Sequence, residues 1–136
     1  MTTIICVDDN GGVMFNSRRQ SQDKILRAKV LSMLGGKRLL VSPYTAKQFF
    51  PDDQPYLRVS ENCYQAASSE DICFAEDKLP NLSDYALKSI ILFKWNRVYP
   101  ADRFFDTTAL KNWKLVSTED FSGNSHEKIT MEVYAK

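Results

Sequence analysis

The chain has 136 residues, enough for one domain with a single sizeable core. Its hydrophobic content of 43% and charged content of 26% are ordinary for a soluble protein, and a net charge of +1 excludes a global field that attracts nucleic acid or membrane. Three cysteines without metal-ligand spacing, no signal-peptide pattern and no apolar run of membrane-spanning length predict a cytoplasmic protein with reduced thiols.

The first apolar run, residues 3–7, predicts a buried strand that ends in Asp8, Asp9, Asn10 and two glycines. In α/β proteins the crevice beyond the carboxyl end of a strand is the usual ligand site. Paired acids at this point also resemble the Mg²⁺ site of response-regulator receiver domains, but the third aspartate and the lysine–proline pair of that fold are missing. Capping of a turn with Asn10-Gly11 is the commoner use of such a cluster, and no metal site is predicted.

The rest of the chain predicts alternating helices and strands. Apolar residues at helical spacing predict a helix over 17–34 that stops at Gly35-Gly36. The further predicted elements are strands at 38–42, 56–60, 71–75 and 88–95, a helix at about 44–50, a turn at 51–55, and a closing antiparallel hairpin of 113–117 with 129–134. This order predicts a single α/β domain over residues 1–136, with a mixed, mainly parallel sheet flanked by helices.

Several segments, in this order, resemble the dihydrofolate reductase family. Residues 7–13 are similar to its first strand and active-site loop, and residues 37–49 to its second strand and following helix. Residues 71–76 stand where the family has an apolar strand ending in two glycines. The Asp-Arg-Phe-Phe run at 102–105 resembles its aspartate–two-phenylalanine signature, and the last two predicted strands resemble its final hairpin. The resemblance implies the same fold in a shorter chain.

That family reduces dihydrofolate with NADPH, and the resemblance implies that the cofactor positions of this chain have changed. Ala75-Glu76 stands at the glycine pair, where a carboxylate about 4 Å from a phosphate would cost on the order of 4 kcal/mol. Only the hydroxyl of Thr45 remains at the phosphate-binding helix, and Ser60 is followed by Glu61 where the family has an arginine. We therefore expect a non-functional nucleotide site and no cofactor, with NADPH as the cofactor if the chain is an enzyme.

The substrate positions of the family are also poorly matched. Asp23 falls near the acid that holds the pterin ring and assists its protonation. The commoner alternative is a helix first-turn acid that the helix dipole favours. Residues 19–21 lack the tryptophan of the family's substrate segment, and residues 52–55 lack its folate-binding arginine. His126, the only histidine, is predicted to lie at an exposed hairpin tip.

The leading interpretation is a non-catalytic protein with this fold that binds a small molecule or a protein partner through the former active-site crevice. The predicted crevice residues, besides Asp23 and Glu76, are Asp8, Asp9, Asn10, Arg18, Arg19 and Tyr44. Two alternatives stay open: a divergent pterin or folate reductase that uses NADPH, and an inhibitor or immunity-type partner protein. Membrane and nucleic-acid partners are not expected.

Overall fold

A computed structural model describes residues 1–48 and 55–136. The strands are β1 (Thr2–Val7), β2 (Gly12–Phe15), β3 (Arg18–Arg19), β4 (Leu39–Val41), β5 (Leu57–Val59), β6 (Ile72–Ala75), β7 (Ser89–Lys94), β8 (Arg103–Phe104), β9 (Lys114–Phe121) and β10 (Ile129–Ala135). The helices are α1 (Lys24–Ser32), α2 (Pro43–Gln48), α3 (Cys63–Ala66) and a 3₁₀ turn (Thr107–Leu110). Of the described helices, none combines the length and the hydropathy needed to cross a membrane.

Seven strands form one sheet in the order β5-β4-β6-β1-β7-β10-β9. Neighbours from β5 to β7 run parallel, whereas β10 runs antiparallel to both β7 and β9. The prediction of a mixed, mainly parallel sheet with a closing hairpin is therefore confirmed. A small antiparallel sheet, β3-β2-β8, follows β1 and covers the carboxyl end of the central strands.

The central strand β1 contributes side chains to a core on each face of the large sheet, because successive strand residues point to opposite faces. Ile4 shares one core cluster with Leu26 and Val30 of α1, and Ile5 shares the other with Leu40. All five side chains are fully buried. Burial of one such side chain stabilises the fold by roughly 1.5–3 kcal/mol, so α1 is held to the sheet mainly through Leu26 and Val30.

Helix α1 begins at Lys24, so the predicted start at residue 17 is wrong. Asp23 has extended backbone, and its carboxylate accepts hydrogen bonds from the N–H groups of Ile25 and Leu26, as an N-cap does. The apolar residues at helical spacing begin only at Ile25. The preceding polar segment has no apolar stripe to bury, so it gains nothing from helix formation.

Residues 17–19, at the start of the predicted helix, form a hairpin with β2 instead. Ser17 lies in the turn of this hairpin, and Arg18–Arg19 is strand β3. The turn residues Asn16 and Ser17 have φ values of 52° and 59°, the left-handed conformation that suits a tight hairpin turn. The Asn16 N–H donates to the Asp102 carboxylate at 3.0 Å, which ties the turn to the segment just before β8.

Short elements also occur where the sequence predicted loops. The side chain of Asn62 caps α3, and that of Asp106 caps the 3₁₀ turn. Strand β8 lies in a segment predicted to be irregular, and β9 extends to Phe121, beyond its predicted end. Residues 49–54, which include the end of the predicted second helix and most of the predicted turn, lie outside the described residues.

Candidate functional site

The carboxylate of Asp8 anchors the turn that follows β1. Its Oδ1 accepts from the backbone N–H groups of Asn10 and Gly12, both at 2.8 Å. Its Oδ2 accepts from Gln20 Nε2 at 3.0 Å and from the Tyr99 N–H at 3.1 Å. Burial alone would raise the pKa of Asp8, but the N–H groups of Gly12, Tyr99 and Asn10 outweigh burial and hold this pKa below its ordinary value. Oδ1 therefore caps the turn after β1, and Oδ2 joins this turn to Gln20 and Tyr99.

Gly12 lets this turn close against its neighbours. A Cβ at this position would lie 2.6 Å from Ala101 Cβ, 2.7 Å from Gln20 Nε2 and 2.9 Å from Asp8 Oδ2. We therefore expect Gly12→Ala to lower the free energy of unfolding by about 1–3 kcal/mol in urea denaturation. Gly35→Asn is the control, because a Cβ at Gly35 meets nothing within 4 Å and asparagine tolerates its φ of +56°. Equal urea midpoints for the two variants would contradict this account.

Other predicted site residues lie at the surface or serve a local turn. Asp9, Asn10 and Arg18 are exposed. The hydroxyl of Ser60 donates to the Asn62 carbonyl at 3.2 Å, in the turn before α3. Within residues 1–48 and 55–136, no three His, Cys, Asp or Glu side chains form a possible metal site.

Arg19 and Glu76 form a buried ion pair at the end of β6. Arg19 Nε donates to Glu76 Oε2 at 2.7 Å, and its terminal nitrogen donates to Oε1 at 2.9 Å. The hydroxyl of Thr45 also donates to Oε1, at 2.5 Å, and the Arg19 guanidinium stacks on the Tyr44 ring at 4.8 Å from its centre. Only 9% of the Arg19 side chain and 10% of the Glu76 side chain are exposed. A hairpin residue, a helix residue and a strand-end residue are therefore joined in one closed network.

This network closes the crevice beyond the carboxyl ends of β1 and β6. The cavity that remains has a volume of about 10 Å³. It is lined by Cys6, Val13, Arg19, Gln20, Ser21, Phe74, Ala75, Glu76 and Trp95. Because one water molecule needs roughly 10–15 Å³ of such space, the closed crevice has room for about one water. Asp8, Asp9 and Asp23 do not line it.

His126 lies in the loop that joins β9 to β10, as the sequence predicted, but only 3% of its surface is exposed, so the prediction that this residue is exposed is wrong. Its Nδ1 lies 3.1 Å from Asp23 Oδ2, and its Nε2 lies 2.8 Å from the Tyr99 hydroxyl and 3.2 Å from Ser21 Oγ. The Trp95 ring stacks on the imidazole at 4.6 Å between centres and an angle of 26°. These contacts on both ring nitrogens offset the free-energy cost of burying a polar imidazole.

The Asp23 carboxylate accepts hydrogen bonds on both oxygens. Oδ1 accepts from the N–H groups of Ile25, Leu26 and Asn124, and Oδ2 accepts from the N–H and hydroxyl of Ser125 as well as facing His126 Nδ1. Burial alone would raise the pKa of Asp23, but the Ser125 N–H and His126 hold it well below its ordinary value. A carboxylate so fully bonded is poorly placed to bind a pterin ring or to donate a proton.

Comparison with known proteins rests on structure, since no protein-family model and no curated protein matches the sequence. A dihydrofolate reductase from Enterococcus faecalis, complexed with NADP(H) and RAB-propyl, superimposes with a TM-score of 0.70 over 98% of this chain and 94% of that chain. The fold is that of dihydrofolate reductase. The sequence identity is 11%, so the likeness establishes the dihydrofolate reductase fold and not the activity.

The dihydrofolate-reductase-like fold brings together some of the predicted residues and separates others. Thr45, Ala75 and Glu76 meet at one point, together with Arg19 and Tyr44 from the predicted crevice set. The bonded partners of Ser60, Asp8 and Asp23 belong to other networks.

The contact between His126 and Asp23 was not predicted from the sequence. The feature that could have indicated it is the small, polar Gly-Asn-Ser run just before the only histidine of the sequence. At Gly123 a Cβ would lie 2.8 Å from Asp23 Cγ, so glycine lets the two segments meet.

Proposed function

We propose that this chain is a dihydrofolate-reductase-like binding protein that does not use NADPH as a reductase does. The observation that carries the proposal is the Glu76 carboxylate, which accepts from the Thr45 hydroxyl and from Arg19. The sequence resemblance assigns Thr45 and Glu76 to cofactor phosphates. An internal carboxylate thus occupies the hydrogen-bond donor that a phosphate would need.

A phosphate could bind there only after displacing this carboxylate. A phosphate about 4 Å from Glu76 would meet a repulsion on the order of 4 kcal/mol at an effective dielectric constant near 20. It would also separate Glu76 from Arg19, which leaves a charge buried without its partner. The repulsion by Glu76 and the loss of the Arg19–Glu76 ion pair both oppose binding of a dinucleotide cofactor.

The volume of the crevice supports the same conclusion. Pockets that bury a drug-sized ligand usually measure roughly 300–1,000 Å³, whereas the closed crevice measures about 10 Å³. A larger cleft of about 530 Å³ lies outside it, lined by Met14, Ser17, Tyr44, Asp77, Asp102 and Arg103. We assign ligand contact to this outer cleft, where the carboxylates of Asp77 and Asp102 outnumber the cation of Arg103 and favour a partner segment that carries basic side chains.

Titration with NADPH, followed by cofactor fluorescence with and without dihydrofolate, tests the proposal. We expect no saturable binding to the wild-type chain at millimolar NADPH. The double variant Ala75→Gly with Glu76→Gly removes the carboxylate and leaves Arg19 and Thr45 for a phosphate, so its affinity for NADPH should rise at least about tenfold. Glu70→Gln is the control, because Glu70 is an exposed acid whose ion pair with Lys37 spans 3.8 Å.

Micromolar binding of NADPH by the wild-type chain would overturn the proposal. Oxidation of NADPH in the presence of dihydrofolate would then favour the divergent reductase. Neither result bears on the inhibitor or immunity-type alternative, which requires a stable complex with a defined partner protein.

A further inference from the structure

We propose that Ser21, His126 and Asp23 form an acyl-transfer site that hydrolyses esters or thioesters of negatively charged carboxylic acids. The site lies beside the closed crevice and uses none of the cofactor positions, so it goes beyond the binding function proposed above. Its three side chains have the order of contacts that a serine nucleophile, a general base and an orienting acid require.

The hydrogen bonds assign a role to each group. A carboxylate only accepts hydrogen bonds, so Asp23 Oδ2 at 3.1 Å holds the imidazole with its proton on Nδ1. The one lone pair of Nε2 then faces two hydroxyls, that of Tyr99 at 2.8 Å and that of Ser21 at 3.2 Å, so transfer of the Ser21 proton to Nε2 requires the Tyr99 hydroxyl to release this lone pair. The distance from Ser21 is somewhat longer than an ideal hydrogen bond, as is common before a substrate binds.

The base and its orienting acid are held firmly in place. The carboxylate of Asp23 is fixed by four backbone N–H groups, from the start of α1 and from the loop before β10. The Trp95 ring covers one face of the imidazole. An imidazole and a carboxylate that are held in position before a substrate binds supply the preorganisation on which such catalysis depends.

Ser21 is half-buried and reaches an open cleft of about 550 Å³. The cleft is lined by Ser21, Gln22, Asp23, Lys24, Arg27, Asn124 and Ser125. The Asp23 carboxylate is already bonded to its own neighbours, so the exposed ammonium group of Lys24 gives the cleft a positive charge. A substrate with a carboxylate on its acyl chain fits this charge and this volume.

The reaction balances without a cofactor. Ser21 Oγ bonds to the carbonyl carbon while its proton passes to His126 Nε2, and the bond from that carbon to the leaving oxygen or sulfur breaks as the leaving group takes the proton. Water then attacks the acyl-serine, Nε2 takes a proton from the water and returns it to Ser21 Oγ, and the free acid departs.

The test uses the full chain with p-nitrophenyl hydrogen succinate, which carries a carboxylate, and p-nitrophenyl acetate, which does not. A fluorophosphonate probe followed by peptide mass mapping locates the reactive hydroxyl. We expect labelling at Ser21 and faster hydrolysis of the succinate ester, and Ser21→Ala should lower that hydrolysis at least about 100-fold. Ser32→Ala, at an exposed serine on α1, is the matched control and should leave both readouts unchanged.

Two further variants separate catalysis from a purely structural role. Ser21→Cys keeps a nucleophile beside His126 and should retain ester cleavage, which a structural hydrogen bond would not explain. Lys24→Gln should raise the KM for the succinate ester several-fold and leave that for the acetate ester unchanged. The proposal is overturned if folded wild-type and Ser21→Ala proteins hydrolyse both esters at the same rate, or if the probe labels residues other than Ser21.

Discussion

Replacing Arg19 with methionine is expected to lower the free energy of unfolding by about 3–5 kcal/mol, because it leaves the Glu76 carboxylate buried without its cation. The Thr45 hydroxyl still donates to that carboxylate, but a single neutral donor does not replace two charge-assisted hydrogen bonds. Urea denaturation followed by circular dichroism measures the loss.

The reason for the loss can be isolated with a second substitution. Arg19→Met combined with Glu76→Leu removes both charges, so it should recover most of the stability that the single variant loses. Lys37→Met is the matched control, because the Lys37–Glu70 pair is exposed and should contribute less than about 1 kcal/mol. A loss for Arg19→Met no larger than that for Lys37→Met would show that the buried pair is not what stabilises this region.

Asp23→Asn is expected to destabilise the chain by about 2–4 kcal/mol at neutral pH. The amide has the size of the carboxylate but offers one oxygen instead of two. In the wild-type chain the Ser125 N–H and His126 Nδ1 share Oδ2. In the variant they would face the amide nitrogen of asparagine, which is itself a donor. The measurement is urea denaturation at pH 7, with Asp9→Asn as the control at an exposed acid.

The same substitution should reduce the sensitivity of the fold to acid. The pKa of Asp23 lies lower in the folded than in the unfolded chain, so the unfolded chain binds the proton more readily. The stability from Asp23 is therefore fully present above the unfolded pKa, about 4, and is lost as the pH falls towards the folded pKa. Asp23→Asn should flatten this part of the pH profile, and an unchanged slope would contradict the role of Asp23. Asp8, whose pKa is also lowered, keeps part of the slope.

The strands β1, β4, β6 and β7 of the large sheet were predictable because each is a short, largely buried and apolar run. Residues 3–7 and 88–95 matched β1 and β7 to within one or two positions at each end, and the late hairpin was identified by its alternation. The start of α1 was not predictable from apolar spacing, because an N-cap residue determines it. Asp23 takes that position through its carboxylate, and the polar residues before it form a hairpin.

The candidate site was harder to predict because its contacts join distant parts of the chain. Asp23 and His126 are 103 residues apart, and Arg19 and Glu76 are 57 residues apart. Taken alone in the sequence, Glu76 was a repulsive charge and His126 a polar loop residue. The fold pairs each with a partner, so the first becomes half of a neutral ion pair and the second a buried imidazole with contacts on both ring nitrogens.

The position of β1 in the middle of the sheet also determines the order in which the chain can assemble. Its two neighbours are β6 and β7, which begin at Ile72 and Ser89, so the first strand made is completed by strands made much later. Parallel pairings over such separations are slow to form, since a long loop must close before any contact is gained. A nascent chain that ends before residue 89 therefore holds β1 with one side unpaired. We expect the central sheet to be completed only after β7 has left the ribosome.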